Sequence, residues 1–147
     1  MQGNMPENKV PVKLAERAEE LFNSGFNCCE SIIKASVEVF ELPLPDNVHL
    51  MGKFYGKGVA GTGCICGALA GAVMMLGFIS DEKQLHTKTA EQFKAEFVSK
   101  FGSSCCRVIR KGQPLTGRWG NKECRELTRH TAELIVQVLS KKKVSSD

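Results

Sequence analysis

From Val59 to Ile79 the chain runs twenty-one residues without a charged side chain. A stretch this apolar is at home only inside a protein or inside a bilayer, so it constrains the fold more than any other segment. Gly63, Gly67 and Gly71 repeat the small-xxx-small spacing of packed transmembrane helices. Five glycines, Thr62 and two cysteines dilute the hydrophobicity, however, and the first third reads as loop continuing from Gly56 and Gly58. About fourteen helical residues remain, short of the ~20 that a span requires. The segment is therefore expected to be a central buried helix whose glycines let neighbouring helices approach closely, with no membrane span.

The rest of the chain supplies amphipathic helices to cover it. Its 147 residues, 42% apolar and 24% charged, suit one soluble domain able to bury a core. Residues 1–11, with Gly3, Pro6 and Pro11, read as a flexible N-terminal arm. A helix is expected from Val12 to Asn23, with Leu14, Ala15, Ala18, Leu21 and Phe22 on one face, Lys13, Glu16, Arg17 and Glu20 opposite, and Gly25 as its stop. Asn27 then caps a second helix reaching about Leu42, with Cys28 or Cys29, Ile32, Ile33, Ser36, Val39 and Phe40 inward and Pro43 and Pro45 ending it. A short third helix is expected from Asp46 to Tyr55. Beyond the central helix, Ser80 with Asp81 and Glu82 opens a helix whose inner face is Ala90, Phe93, Phe97 and Phe101, ending at Gly102. Ser103 or Ser104 can cap a short helix through Cys106, Val108 and Ile109. After a glycine-rich and proline-containing loop, the last helix runs from Asn121 to about Lys141, with Cys124, Leu127, Thr131, Leu134, Ile135 and Val138 on one face. No segment alternates long enough to form a strand. The expected fold is all-α, a compact multi-helix bundle spanning 12–141, followed by a flexible tail, 142–147.

Seven cysteines are distributed over this bundle in an ordered way: Cys28 and Cys29, Cys64 and Cys66, Cys105 and Cys106, and Cys124. Each group falls where a helix begins. The first N–H groups of a helix lack internal partners and the peptide dipoles add positive charge there, so a thiolate is favoured and the cysteine pKa is expected to fall. Cys28, Cys66, Cys106 and Cys124 are the members placed directly at the four helix starts. Four converging thiolates suit Zn²⁺ or an iron-sulfur cluster. Zinc sites usually take ligands in close C-x-x-C pairs, which are absent, whereas helix-end amides and the loop from Gly56 to Gly63 could donate to cluster sulfides. An odd cysteine count, and an N-terminus that does not read as a signal peptide, favour a reducing cytoplasm.

The cysteine-bearing segments resemble a family of redox-active proteins named for a C_GCAxxG_C_C pattern. Its opening Gly-aromatic-Asn-Cys is matched by Gly25, Phe26, Asn27 and Cys28, and its CGAxxG core by Cys66, Gly67, Ala68, Leu69, Ala70 and Gly71. Its Phe-Gly-Ser and Cys-Arg elements are matched by Phe101, Gly102 and Ser103 and by Cys106 and Arg107, and its last cysteine by Cys124. The resemblance extends from Ala15 to about Leu139. It implies cysteine-based redox activity with Cys28, Cys66, Cys106 and Cys124 as the family set. It also implies similarity to the iron-sulfur domain of split-Soret cytochromes, without haem, because no C-x-x-C-H is present. Cys29, Cys64 and Cys105 are extra, as alternative ligands or as resolving thiols; a disulfide between groups is more plausible than one between adjacent cysteines.

The leading expectation is a small electron carrier, rather than an enzyme, that holds an iron-sulfur cluster through Cys28, Cys66, Cys106 and Cys124. [2Fe-2S] is favoured, although four thiolates also satisfy [4Fe-4S]. Its partner would be another redox protein, and the glycine-rich helix offers a flat face for a homodimer. A metal-free thiol-disulfide enzyme or sensor is the alternative, and a structural zinc module the third. The net charge of +4 includes a lysine run in the tail, and aromatic and basic residues are not interleaved as a nucleic-acid surface requires. His49, His86 and His130 read as surface or satisfied residues, with a cluster ligand as the alternative; Arg107, Arg110 and Arg125 could offset the charge of a thiolate site, although an exposed helix face is the commoner fate of an arginine; and the G-x-G-x-x-G match at Gly56 to Gly61 lacks the preceding strand a dinucleotide site needs.

Overall fold

A computed structural model describes residues 10–80, 87–111 and 121–145. Among these residues the chain forms six α-helices: α1 (Val10–Asn23), α2 (Cys28–Val39), α3 (Gly67–Ile79), α4 (Thr87–Phe101), α5 (Cys106–Lys111) and α6 (Asn121–Ser145). Two 3-10 segments, Val48–Gly52 and Val59–Gly61, lie between α2 and α3, and the described residues contain one isolated bridge, Gly56 to Gly58, but no strand. The fold is all-α. No described helix is long and apolar enough to cross a membrane.

The apolar stripes form the core as their spacing predicts. Leu14, Ala15, Ala18 and Leu21 of α1 are buried against α2 and α6. Ile32 and Ile33 are fully buried in α2, which packs on α3 and α1, and the expected aromatic face of α4 contributes fully buried Phe93 and Phe97. In α6, Leu127, Leu134, Ile135 and Val138 are buried alongside Thr128 and Thr131, whose hydroxyls donate to the carbonyls of Cys124 and Leu127 at 2.7 Å. Those bonds remove the cost of burying the two hydroxyls. Central α3 is buried on most of its circumference, with Ala68, Leu69, Ala72 and Met75 all inside.

Several boundaries differ from expectation. Helix α1 starts at Val10, and α2 stops at Val39 because Glu41 turns to a positive φ of 51° before the prolines are reached. Between Asp46 and Tyr55 there is only the 3-10 turn Val48–Gly52, since Gly52 backs against Cys29 so closely that a Cβ would lie 2.8 Å from its Sγ. Helix α6 continues to Ser145. The expected Ser80 cap with Asp81 and Glu82 falls largely on 81–86, and the glycine-containing loop on 112–120, both outside the described residues.

Candidate functional site: a four-cysteine cavity

Three loops deliver helix starts to one end of the bundle. Asn27 caps α2 with a capping box: its side chain accepts from Glu30 N–H at 2.8 Å while the Glu30 carboxylate accepts from Asn27 N–H at 3.2 Å. The same Asn27 amide donates to the carbonyls of Gly52 and Lys53, both at 3.0 Å, tying the α2 start to the segment that leads into the glycine loop. The α3 start is fixed to the α5 start by Cys66 N–H donating to Ser104 C=O at 2.8 Å and Arg107 N–H donating to Gly63 C=O at 2.9 Å. Gly67 permits α2 and α3 to meet, because a Cβ there would lie 2.3 Å from the Tyr55 carbonyl oxygen and 2.7 Å from Cys28 Sγ.

The result is one cavity of about 20 Å³, the room of about one water, lined by Cys28, Cys66, Cys106 and Cys124 together with Gly56, Gly67, Ile109, Arg110 and Leu127. Each cysteine comes from a different helix start: the first residue of α2, the cap of α3, the first residue of α5 and the first turn of α6. Cys28 and Cys66 are buried and Cys106 and Cys124 are partly exposed. The Cys28 thiol donates toward the Gly56 carbonyl at 3.9 Å. Arg110 lines the same cavity, and among the described residues its buried Nε has no hydrogen-bond partner. As the side chains stand, no group of three Cys, His, Asp or Glu among the described residues is arranged to hold a metal ion.

Burial decides the charge state of the inner thiols, against the expectation that helix starts lower cysteine pKa. Burial pushes Cys28 well up, and the neighbouring Cys66, Cys124 and Cys29 sulfurs raise it further. Burial lifts Cys66 to about 11, with Cys106 and Cys124 adding to the rise. The amides of Ala68 and Leu69 do oppose it, as a helix start should, yet no capping hydrogen bond of ordinary geometry forms at Cys66 and the opposition is too weak. Desolvation of the anion exceeds the helix-end contribution, so these groups are neutral thiols at pH 7.

The three remaining cysteines divide. Cys29 faces away from the cavity, fully buried between Gly52 and Gly71, and burial, reinforced by Cys66 and Glu30, pushes it up to about 12. Cys64 and Cys105 are joined in a disulfide that does not line the cavity, as expected for a bridge between groups. Which groups pair was not legible in the sequence, where the partners lie 41 residues apart. His49 sits edge-on to Phe26 with Nδ1 3.0 Å from the Asp46 carbonyl, and His130 contacts Glu133; neither lines the cavity, and His86 lies outside the described residues. Of the three arginines singled out, only Arg110 lines the cavity, while Arg125 points to Glu19 and Arg107 is exposed.

The model of the family described as "Putative redox-active protein (C_GCAxxG_C_C)" matches residues 26–138, a range that contains all seven cysteines. The chain belongs to this family. It is also similar to a protein of Archaeoglobus fulgidus, named only as an uncharacterized protein, with 24% identity over 146 residues covering 89% of this chain and 96% of the relative. No solved structure matches. Membership supplies the coarse character of the chain, redox activity in a cysteine-rich helical domain.

Proposed function

We propose that the four-cysteine cavity holds an iron-sulfur cluster, with [2Fe-2S] favoured, and that the protein passes single electrons to a redox partner protein. The observation that carries this reading is the meeting of Cys28, Cys66, Cys106 and Cys124, from four separate helices, around one cavity. The donor set fits the group in kind, since four cysteine thiolates are the usual complement of either common cluster; in size the cavity, with room for about one water, would have to widen as the cluster is loaded. The buried Arg110 Nε, without a hydrogen-bond partner among the described residues, fits it too, because a thiolate-ligated cluster would supply an anionic acceptor. When bound, the cluster would supply a one-electron couple.

The chain's own residues would do the rest. Cys28, Cys66, Cys106 and Cys124 would ligate; Arg110 would offset negative charge; the Ala68 and Leu69 amides would face the Cys66 sulfur; Ile109 and Leu127 would limit water access. Ligation requires the thiols to lose their protons, which a bound metal enforces even when the uncomplexed thiol is neutral at pH 7. The same neutrality argues against Cys28 or Cys66 as the attacking thiolate of a metal-free exchange enzyme, since the thiolate is the nucleophile.

Anaerobic purification tests the reading. A coloured protein with iron and acid-labile sulfide in stoichiometric amounts is expected; a colourless protein carrying one zinc, or no metal after reconstitution with iron and sulfide, would refute it.

A further inference from the structure

We infer that Cys64 and Cys105 form a second redox site, a reversible two-electron disulfide that exchanges with dithiols independently of the four-cysteine cavity. Both cysteines are partly exposed, both lie outside the cavity lining, and they are bonded to one another, while the other five cysteines stand as thiols. A bridge that served only as a deep staple would be expected in the interior, yet the fully buried sulfur of this chain, that of Cys29, is a thiol.

Reversibility follows from what surrounds the bridge. The two segments that it joins are held together by main-chain bonds as well, from Cys66 N–H to Ser104 C=O at 2.8 Å and from Arg107 N–H to Gly63 C=O at 2.9 Å. The Cys64 carbonyl accepts from Val59 N–H at 3.1 Å and from the Thr62 hydroxyl at 2.8 Å, and Cys105 N–H donates to Ser103 Oγ at 3.0 Å. None of these bonds involves sulfur. They persist when the bridge opens and keep the two thiols opposite one another, ready to close again. Arg107, exposed beside Gly63, adds positive charge that favours approach of an attacking thiolate.

The reaction balances with a dithiol as reductant. One thiolate of the dithiol attacks a sulfur of the Cys64–Cys105 bond, which breaks; a mixed disulfide forms and the other cysteine leaves as a thiolate that takes a proton. The second thiolate of the dithiol then attacks its own partner sulfur, releasing the second cysteine, which is protonated in turn. The dithiol ends as a disulfide, and the protein has gained two electrons and two protons.

Dithiothreitol is the probe. The folded, full-length protein is treated with it, quenched, unfolded and alkylated, and the modified cysteines are mapped by mass spectrometry. Five alkylated cysteines are expected before treatment and seven after, the two gained being Cys64 and Cys105, with no denaturant needed for their reduction. Transfer to oxidised dithiothreitol should return the count to five with the same pair rejoined. Alkylation of Cys64 and Cys105 before treatment, reduction only after unfolding, or reclosure between other cysteines would each overturn the inference. The readout is a thiol count, so a preparation that never binds iron would sink the cluster proposal and leave this test intact.

Discussion

Cys64 and Cys66 are separated by one residue and Cys105 and Cys106 by none, yet the inner and outer members of these couples have different chemistry. Cys66 and Cys106 line the cavity as thiols, whereas Cys64 and Cys105 are bonded to each other outside it. The direction that a side chain takes from the main chain, and the solvent it then meets, governs the reactivity of each sulfur; distance along the chain does not. Proximity in sequence to a helix start is similarly insufficient, because burial overrides the helix-end field at Cys66.

Removing one sulfur from each set should separate the two chemistries. Cys66→Ser should abolish bound iron and sulfide, while Cys64→Ser should retain them; equal retention in both would erase the distinction. Stability should divide the other way. Opening the bridge frees a loop of 41 residues, which by loop-closure entropy is worth roughly 4 kcal/mol, so urea denaturation should reveal a large loss in Cys64→Ser under oxidising conditions that Cys66→Ser, with its loop still closed, escapes.

Alkaline pH tests the buried thiols. Cys66 has a pKa near 9 when unfolded and about 11 when folded, so the unfolded chain releases its proton first and metal-free stability falls as pH rises from 9 to 11, by about 3 kcal/mol from this group. Chemical denaturation of the metal-free protein across that range should show the fall, and Cys66→Ser should soften it. Next in size is Gly67→Ala, whose Cβ meets the Tyr55 carbonyl oxygen at 2.3 Å; overpacking of roughly 2 kcal/mol should appear as a lowered Tm. Asn27→Ala removes a capping box and two donors to the 52–53 carbonyls and should cost about 1 kcal/mol in the same assay.

The bundle was legible in the sequence wherever an apolar stripe extended over three turns or more, as in α1, α2, α4 and α6, and wherever uncharged length left burial as the natural outcome, as in α3. The segment between Asp46 and Tyr55 was not, because its form depends on how closely Gly52 must approach Cys29, a tertiary distance with no local signal. Helix starts did identify Cys28, Cys66, Cys106 and Cys124 as cysteines that meet. The charge state of the inner sulfurs was misread, because a helix start marks a favourable field in sequence but carries no sign of the solvent lost when the bundle closes over it. The pairing of Cys64 with Cys105 was illegible for the same reason: it depends on the α3 and α5 starts lying side by side.

The glycines around the α2 start give the cavity one rigid side. A Cβ on Gly71 would lie 3.0 Å from the Cys29 carbonyl oxygen, and Gly52 and Gly67 crowd the Cys29 and Cys28 sulfurs more closely still, so α2 and α3 meet with no room for a side chain between them at Gly71. The partly exposed Cys106 and Cys124 stand opposite, at the starts of α5 and α6. Two of the four cavity sulfurs are thus backed by close-packed main chain, while the other two, at the starts of α5 and α6, meet solvent.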